Sequence, residues 1–161
     1  MTTSQSEPPY GDIEWLSTHS ARLANSLARL TGKQLIPEDT AGQSPADWLF
    51  SAPFSIVSHG TEADPIFNYA NRTALHLFEM NWQEFTELPS RKSAEPVHRD
   101  ERARLMASVQ SRGYIDNYGG IRISKTGRRF RIENAIVWNV LDEDGTVIGQ
   151  AAMFDRWTPV E

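Results

Sequence analysis

The run IRISKTGRRFRIENAIVWNVLDEDGTVIGQAAMFDRW, residues 121–157, carries the architecture in its alternation. It divides into IRIS (121–124), the turn KTG (125–127), RRFRIENAIVWNV (128–140), the turn DEDG (142–145) and TVIGQAAMFDRW (146–157). Period-two patterning marks the three longer pieces as strands, and short turns containing Gly close antiparallel hairpins. Upstream, PFSIVSH (53–59) and PIFNYAN (65–71) are apolar runs bounded by Pro and joined by GTEAD, which predicts a further hairpin.

Between these two β regions the pattern turns helical. Asn71 is placed to cap RTALHLFEM (72–80), where Ala74, Leu75, Leu77 and Phe78 share one face and His76 lies on the other. N-W-Q-E at 81–84 is a capping box for a helix carrying Trp82, Phe85 and Leu88 and stopped by Pro89. A longer helix is predicted from about His98 to Arg112, with Leu105, Met106 and Val109 inward and Gly113 as its stop. Toward the N-terminus, S-P-A-D at 44–47 opens a short helix through Trp48, Leu49 and Phe50. Ile13, Leu16, Leu23, Leu27 and Leu30 form one stripe of an amphipathic helix, interrupted by Ser20 and stopped at Thr31-Gly32. That stripe suits either its own domain or a dimer seam. The expected fold class is α+β, a five-stranded antiparallel sheet with helices packed on one face plus an N-terminal amphipathic helix.

At 161 residues the chain has the length of one domain. Residues 1–10, polar and with Pro8 and Pro9, are expected to be a disordered arm; 11–161 then form a single domain, with N-terminal helices over 11–52 and a core over 53–157. Sixteen Lys and Arg against 21 Asp and Glu leave a net charge of −5, so no nucleic-acid partner is expected. The absence of Cys removes disulfides, thiolate catalysis, Cys-ligated metals and cysteinyl flavin adducts. Neither a signal-like N-terminus nor a long uncharged run is present, so no membrane partner and a cytoplasmic location are expected.

The motifs resemble a known family. SHGTEADPIFNYANRTALHLFEMNWQEFTELPSRKSAEPVHRDERARLM (58–106) and GYIDNYGGIRISKTGRRFRIENAIVWNVLDEDG (113–145) closely resemble the MEKHLA domain, a PAS-like module. That module also ends plant class III homeodomain leucine-zipper factors and occurs as a stand-alone bacterial protein, the type this chain is expected to be. The likeness spans roughly Gly11 to Trp157 and implies a PAS-like sheet and a sensory, ligand-binding role. It implies no particular chemistry, because a shared scaffold is not a shared ligand. With no kinase, cyclase or DNA-binding segment in these residues, the output is expected to pass through an unidentified protein partner or a homodimer formed by the N-terminal helix.

Alternation along 129–141 puts Phe130, Ile132, Asn134, Ile136, Trp138 and Val140 on one face, with Arg131, Glu133 and Asn139 on the other. On the last strand Ile148, Gln150, Ala152 and Phe154 share a face. Asn134 and Gln150 thus interrupt apolar faces, and each carboxamide offers a donor and an acceptor to a ligand. The expected pocket lining is Asn134, Gln150, Trp138 and Phe154, with Phe67, Tyr69 and Met106 opposite. The same carboxamides suit a closed core in which they bond each other or a buried water. The cofactor is left open. Flavin is disfavoured because the Asn and Gln offsets differ from those of PAS flavoproteins, and haem because the only nearby His, His98, stands at the helix start.

His59, Glu62 and Asp64 share a loop, but spacing this loose fits a solvated turn better than a metal centre. No catalytic triad order, nucleophile elbow, P-loop or dinucleotide fingerprint occurs, so no enzyme is expected. Lys125, Arg128, Arg129 and Arg131 concentrate positive charge on one hairpin, which suits an acidic partner or a protected sheet edge. Three functions remain open: a small-molecule sensor signalling through protein contacts, a constitutive interaction module with a filled core, and a small enzyme using the cavity.

Overall fold

In the computed structural model, residues 13–94 and 99–160 are described, apart from the side chains of 99–102, 106 and 110. The expected arm at 1–10 and His98 lie outside the described residues. Among these residues five α-helices, α1 (Ile13–Thr31), α2 (Pro45–Phe50), α3 (Arg72–Phe78), α4 (Trp82–Phe85) and α5 (Arg99–Arg112), and a 3-10 helix at Ser90–Ser93 accompany six strands. These are β1 (Ser55–His59), β2 (Phe67–Ala70), β3 (Tyr114–Ile123), β4 (Arg129–Leu141), β5 (Val147–Phe154) and β6 (Arg156–Val160). The sheet order is β2-β1-β5-β4-β3, antiparallel throughout, with β6 also paired to β4.

Local chemistry explains most of these boundaries. Ser44 Oγ accepts from Asp47 N at 3.1 Å with Pro45 at the first helical position, and Asn81 and Glu84 cap α4 reciprocally. Gly127 and Gly145 take the left-handed backbone that the two turns require, at φ 89° and 84°.

The sixth strand arises from one bulge. Asn134 sits at φ 54°, a region Asn enters more cheaply than most residues, and splits β4 into halves. Residues 136–141 pair with β5 and residues 129–133 with β6, so the last predicted run breaks at Asp155 into two strands along one edge of β4. An inserted residue also shifts side-chain parity. Phe130, Ile132, Ala135 and Val137 face the helical insert, whereas Ile136, Trp138 and Val140 face the opposite way.

The sheet is consequently covered on both faces. The insert α3–α5 packs on one side over Phe67, Phe78, Phe85, Phe130 and Phe154. On the other, the α1 stripe of Leu16, Leu23 and Leu27 packs with Ile56, Tyr69 and Trp138. Trp138 Nε1 donates to Leu23 O at 3.2 Å and Leu141 N donates to Ser26 Oγ at 2.7 Å, which fixes the position of α1 along β4. His19 Nε2 donates to Ser58 Oγ at 2.9 Å, because that hydroxyl gives its own proton to Asn68 Oδ1 at 2.5 Å.

Asn71 joins the layers. It is fully buried; its Oδ1 accepts from Ala74 N at 3.1 Å and Ile56 N at 3.2 Å, and its Nδ2 donates to Leu49 O at 3.2 Å and Phe54 O at 2.8 Å. Asn71→Ala strands several buried groups and removes a cap, so a loss of about 3 kcal/mol is expected in urea denaturation. Asn71→Asp keeps the acceptor but sets a carboxylate against two carbonyls, and is expected to recover less than half of that loss.

A second expectation concerns acid. Burial, assisted by the Arg22 charge, lowers the pKa of His19 from its ordinary 6.5 to about 4. Below pH 6.5 the unfolded chain takes up a proton that the folded chain refuses. The contribution is therefore complete above pH 6.5 and is lost as pH falls toward 4, at about 1.4 kcal/mol per unit and roughly 3 kcal/mol in all. Urea midpoints measured across this window should fall steeply for the native chain and clearly less for His19→Gln.

Candidate functional site: a cavity between the sheet and α5

The apolar face of the sheet and helix α5 do not close completely on each other. A cavity of about 60 Å³ remains, walled by Val57, Phe67, Phe78, Leu105, Val109, Tyr118, Ile132, Val137, Ala152 and Phe154. The polar side chains reaching it include His59, Gln150 and Arg122. A wider, more polar concavity of about 430 Å³ lies outside, between the 60–65 turn, Ser90, Arg91 and the Ala103 and Ala107 positions of α5. His59 and Gln150 line both spaces and so stand where they meet.

These two side chains are held from behind. His59 Nδ1 donates to Gly60 O at 2.9 Å, which fixes the proton on that nitrogen. Gln150 Nε2 donates to Asn139 Oδ1 at 3.3 Å, and Asn139 Nδ2 donates to Val109 O at 3.3 Å in the last turn of α5. The Asn139 backbone N–H also donates to Gly113 O at 2.8 Å. A polar thread thus runs from the cavity through β5 and β4 to the C-terminal end of α5, where Val109 O also accepts from Gly113 N at 2.7 Å. At the far wall, Arg122 Nη2 donates to Tyr118 Oη at 2.5 Å and its guanidinium lies 5.4 Å from the centre of that ring.

Of the residues expected to line a pocket, Gln150, Phe154 and Phe67 do so. Asn134 does not, because its bulge turns it out to an exposed position. Trp138 and Tyr69 are buried on the opposite face beneath α1, Trp138 through the parity shift after Asn134 and Tyr69 through the irregular β1–β2 pairing at Ser58/His59. Burial there raises the Tyr69 hydroxyl far above its ordinary pKa. The Met106 side chain lies outside the described residues. Asn139, placed on the outer face by strict alternation, is buried on the cavity side for the same reason as Trp138. The sequence signal for it was the polar E-N pair at 133–134, which marks a bulge as readily as a ligand contact.

The loop residues weighed for a metal have separate commitments. Asp64 accepts from Arg91 Nε at 3.1 Å, Glu62 Oε1 accepts from Ile66 N at 3.2 Å, and His59 bonds Gly60 as above. Among the described residues no group of three or more His, Asp or Glu could hold a metal ion. Within the basic hairpin, Lys125 pairs with Glu84 while Arg128 and Arg131 are exposed. No helix among the described residues is long and apolar enough to cross a membrane.

The sequence profile of the MEKHLA domain matches residues 17–159. The chain belongs to the MEKHLA domain family. Similar proteins include homeobox-leucine zipper protein HOX9 of Oryza sativa subsp. indica, 27% identical over 120 residues and covering 74% of this chain. Another is homeobox-leucine zipper protein ATHB-14 of Arabidopsis thaliana, 27% identical over 150 residues and 91% of this chain. The chain spans only 14% and 17% of the lengths of these two plant proteins. Among solved structures, the PAS domain of a Colwellia psychrerythraea protein superposes with a TM-score of 0.59 at 14% identity, covering 71% of this chain and 92% of that one. A light-oxygen-voltage domain studied with a flavin analogue gives 0.57 at 17% identity, covering 76% and 89%. The MEKHLA domain here therefore shares the fold of the PAS domain.

The tightest constraint beside the MEKHLA cavity is Gly149. A Cβ on it would lie 2.1 Å from the His59 carbonyl oxygen, a backbone atom that cannot move aside alone. Gly149→Ala should force β1 from β5 at the cavity mouth and lower stability by about 2 kcal/mol or more, read from the thermal midpoint.

Proposed function

We propose that this MEKHLA domain is a sensory module that holds a compact small molecule between its sheet and α5 and reports occupancy through protein contacts. The observation that carries the reading is the pair His59 and Gln150 standing between an apolar chamber and an open polar one, with Gln150 tied through Asn139 to the end of α5. A ligand that bonds Gln150 competes with or reinforces that thread, so its presence changes how α5 is held against β4.

Size restricts the ligand. A water molecule needs roughly 10–15 Å³ of such space, and an engineered cavity of roughly 150 Å³ in another protein holds one benzene. The inner chamber, at about 60 Å³, therefore accepts a short aliphatic group and not a fused ring system. The isoalloxazine of a flavin, the group associated with the light-oxygen-voltage neighbour, does not fit this arrangement, nor does haem. The ligand class that fits has a short apolar end for the chamber and a hydrogen-bonding end at His59 and Gln150.

A second reading is a constitutive interaction module, through a homodimer or an unidentified partner. It is favoured by the small chamber and by Ile13 and Trp15, which α1 leaves exposed after its stripe is buried against the sheet.

Ultraviolet–visible spectra, then native and denaturing mass spectrometry, of freshly purified full-length protein separate the two. The sensor reading expects a small mass released on denaturation from the native chain and absent from Ala152→Val, which adds two methyl groups to the chamber, and from Gln150→Leu. A chain that releases nothing, and whose thermal midpoint Ala152→Val raises, is the filled-core module instead.

A further inference from the structure

On another side of β2, the first turn of α1 and helix α4 leave a groove of about 440 Å³ that the cavity reading does not use. Its walls include Trp15, Trp82, Phe67, Asn68 and Glu62, and among the described residues no Lys, Arg or His lines it. The two indoles meet nearly at right angles, with centroids 6.4 Å apart and planes at 81°. Neither is loose: Trp15 stacks on the buried His19 ring at 4.6 Å, and Trp82 stands edge-on to the buried Tyr69 ring at 5.6 Å. Glu62 is held over the adjoining turn by its bond from Ile66 N.

Two fixed aromatic walls and a carboxylate define a chemistry. Indole faces carry partial negative charge and attract cations, most effectively cations that give up little hydration on leaving water. A primary ammonium is strongly hydrated and has N–H groups to satisfy, whereas a quaternary ammonium has an apolar methyl surface that matches the corner. We propose that this groove is a binding site for a small quaternary ammonium compound, its methyl groups in the Trp15–Trp82 corner and its charge balanced by Glu62. The net charge of −5 adds a favourable field. Phe67 borders both spaces, but the Trp15–Trp82 corner lies outside the cavity, so either proposal can fail alone.

The probes are choline, its neutral isostere 3,3-dimethylbutan-1-ol and the primary amine ethanolamine, each titrated into the full chain at constant ionic strength. The readout is the indole N–H resonances of Trp15 and Trp82, assigned with the Trp15→Phe and Trp82→Phe variants. Choline should shift both resonances, with the isostere and ethanolamine each binding about tenfold more weakly or worse. Trp15→Ala, measured well below a thermal midpoint that the lost His19 stack lowers, should weaken choline at least about fivefold, and Glu62→Gln about twofold to fivefold. The proposal is overturned if choline leaves both indoles unmoved, if the isostere binds equally well, if ethanolamine matches choline, or if Trp15→Ala binds choline as the native chain does.

Discussion

A single carboxamide sets the relation between the two helical layers and the sheet. Asn71 caps α3 with the same oxygen that holds the Ile56 N–H of β1, while its amide nitrogen holds Leu49 at the end of α2 and Phe54 just before β1. Both lone pairs and both protons are used, at a position fully shielded from water. In such surroundings partners are worth most when complete and cost most when incomplete. Aspartate lacks the donors, serine lacks the reach, and leucine satisfies nothing. The chain can turn from α2 into β1 and from β2 into α3 at one point only because this side chain serves both crossings.

From that corner the sheet is extended by β4 and its bulge. A regular strand of thirteen residues would present one apolar face, and only one side of the sheet would have a deep core along it. The left-handed Asn134 exchanges the faces midway. Its first half gives Phe130 and Ile132 to the helical insert, and its second half gives Trp138 and Val140 to α1. The same exchange brings Asn139 to the cavity side, where it can link Gln150 to α5. The dimer-like stripe of α1 is consumed in this arrangement, since Leu23 and Leu27 are buried against the sheet.

What the sequence made legible follows the range of each interaction. The caps at Ser44, Asn71 and Asn81 and the turns at Gly127 and Gly145 were readable because their partners lie within a few residues. The family was readable because long motifs specify a whole scaffold, and the matched profile over 17–159 agrees. Face assignment was readable only where the pleat stayed regular: Gln150, Ala152 and Phe154 lie beyond the β4–β5 shift at Val147–Gly149 and keep one face, Ile148 within that shift packs with the α1-side core instead, and Trp138 follows Asn134 as Tyr69 follows the shift at Ser58/His59. The placement of α1 on the far face was also out of reach, because an amphipathic stripe names an apolar partner and not which one.

The cavity and the second core are consequences of one partition. Burying the rings of Trp138, Tyr69 and His19 on the α1 side leaves the other face to be filled by rings at its rim and by small or branched residues at its centre. Val57, Val137 and Ala152 meet Val109 and Leu105 of α5 across that centre, and their combined bulk falls short by about 60 Å³. A shortfall of this size is costly in an apolar core, since each unfilled methyl-sized space forfeits contacts. The polar pair at its mouth and the thread behind Gln150 give that unfilled space a chemical identity that a packing defect would lack. Leu23 and Ser26 of α1 hold Trp138 and Leu141 from behind, so under the proposed function a response to occupancy falls on α5, the element on the open side.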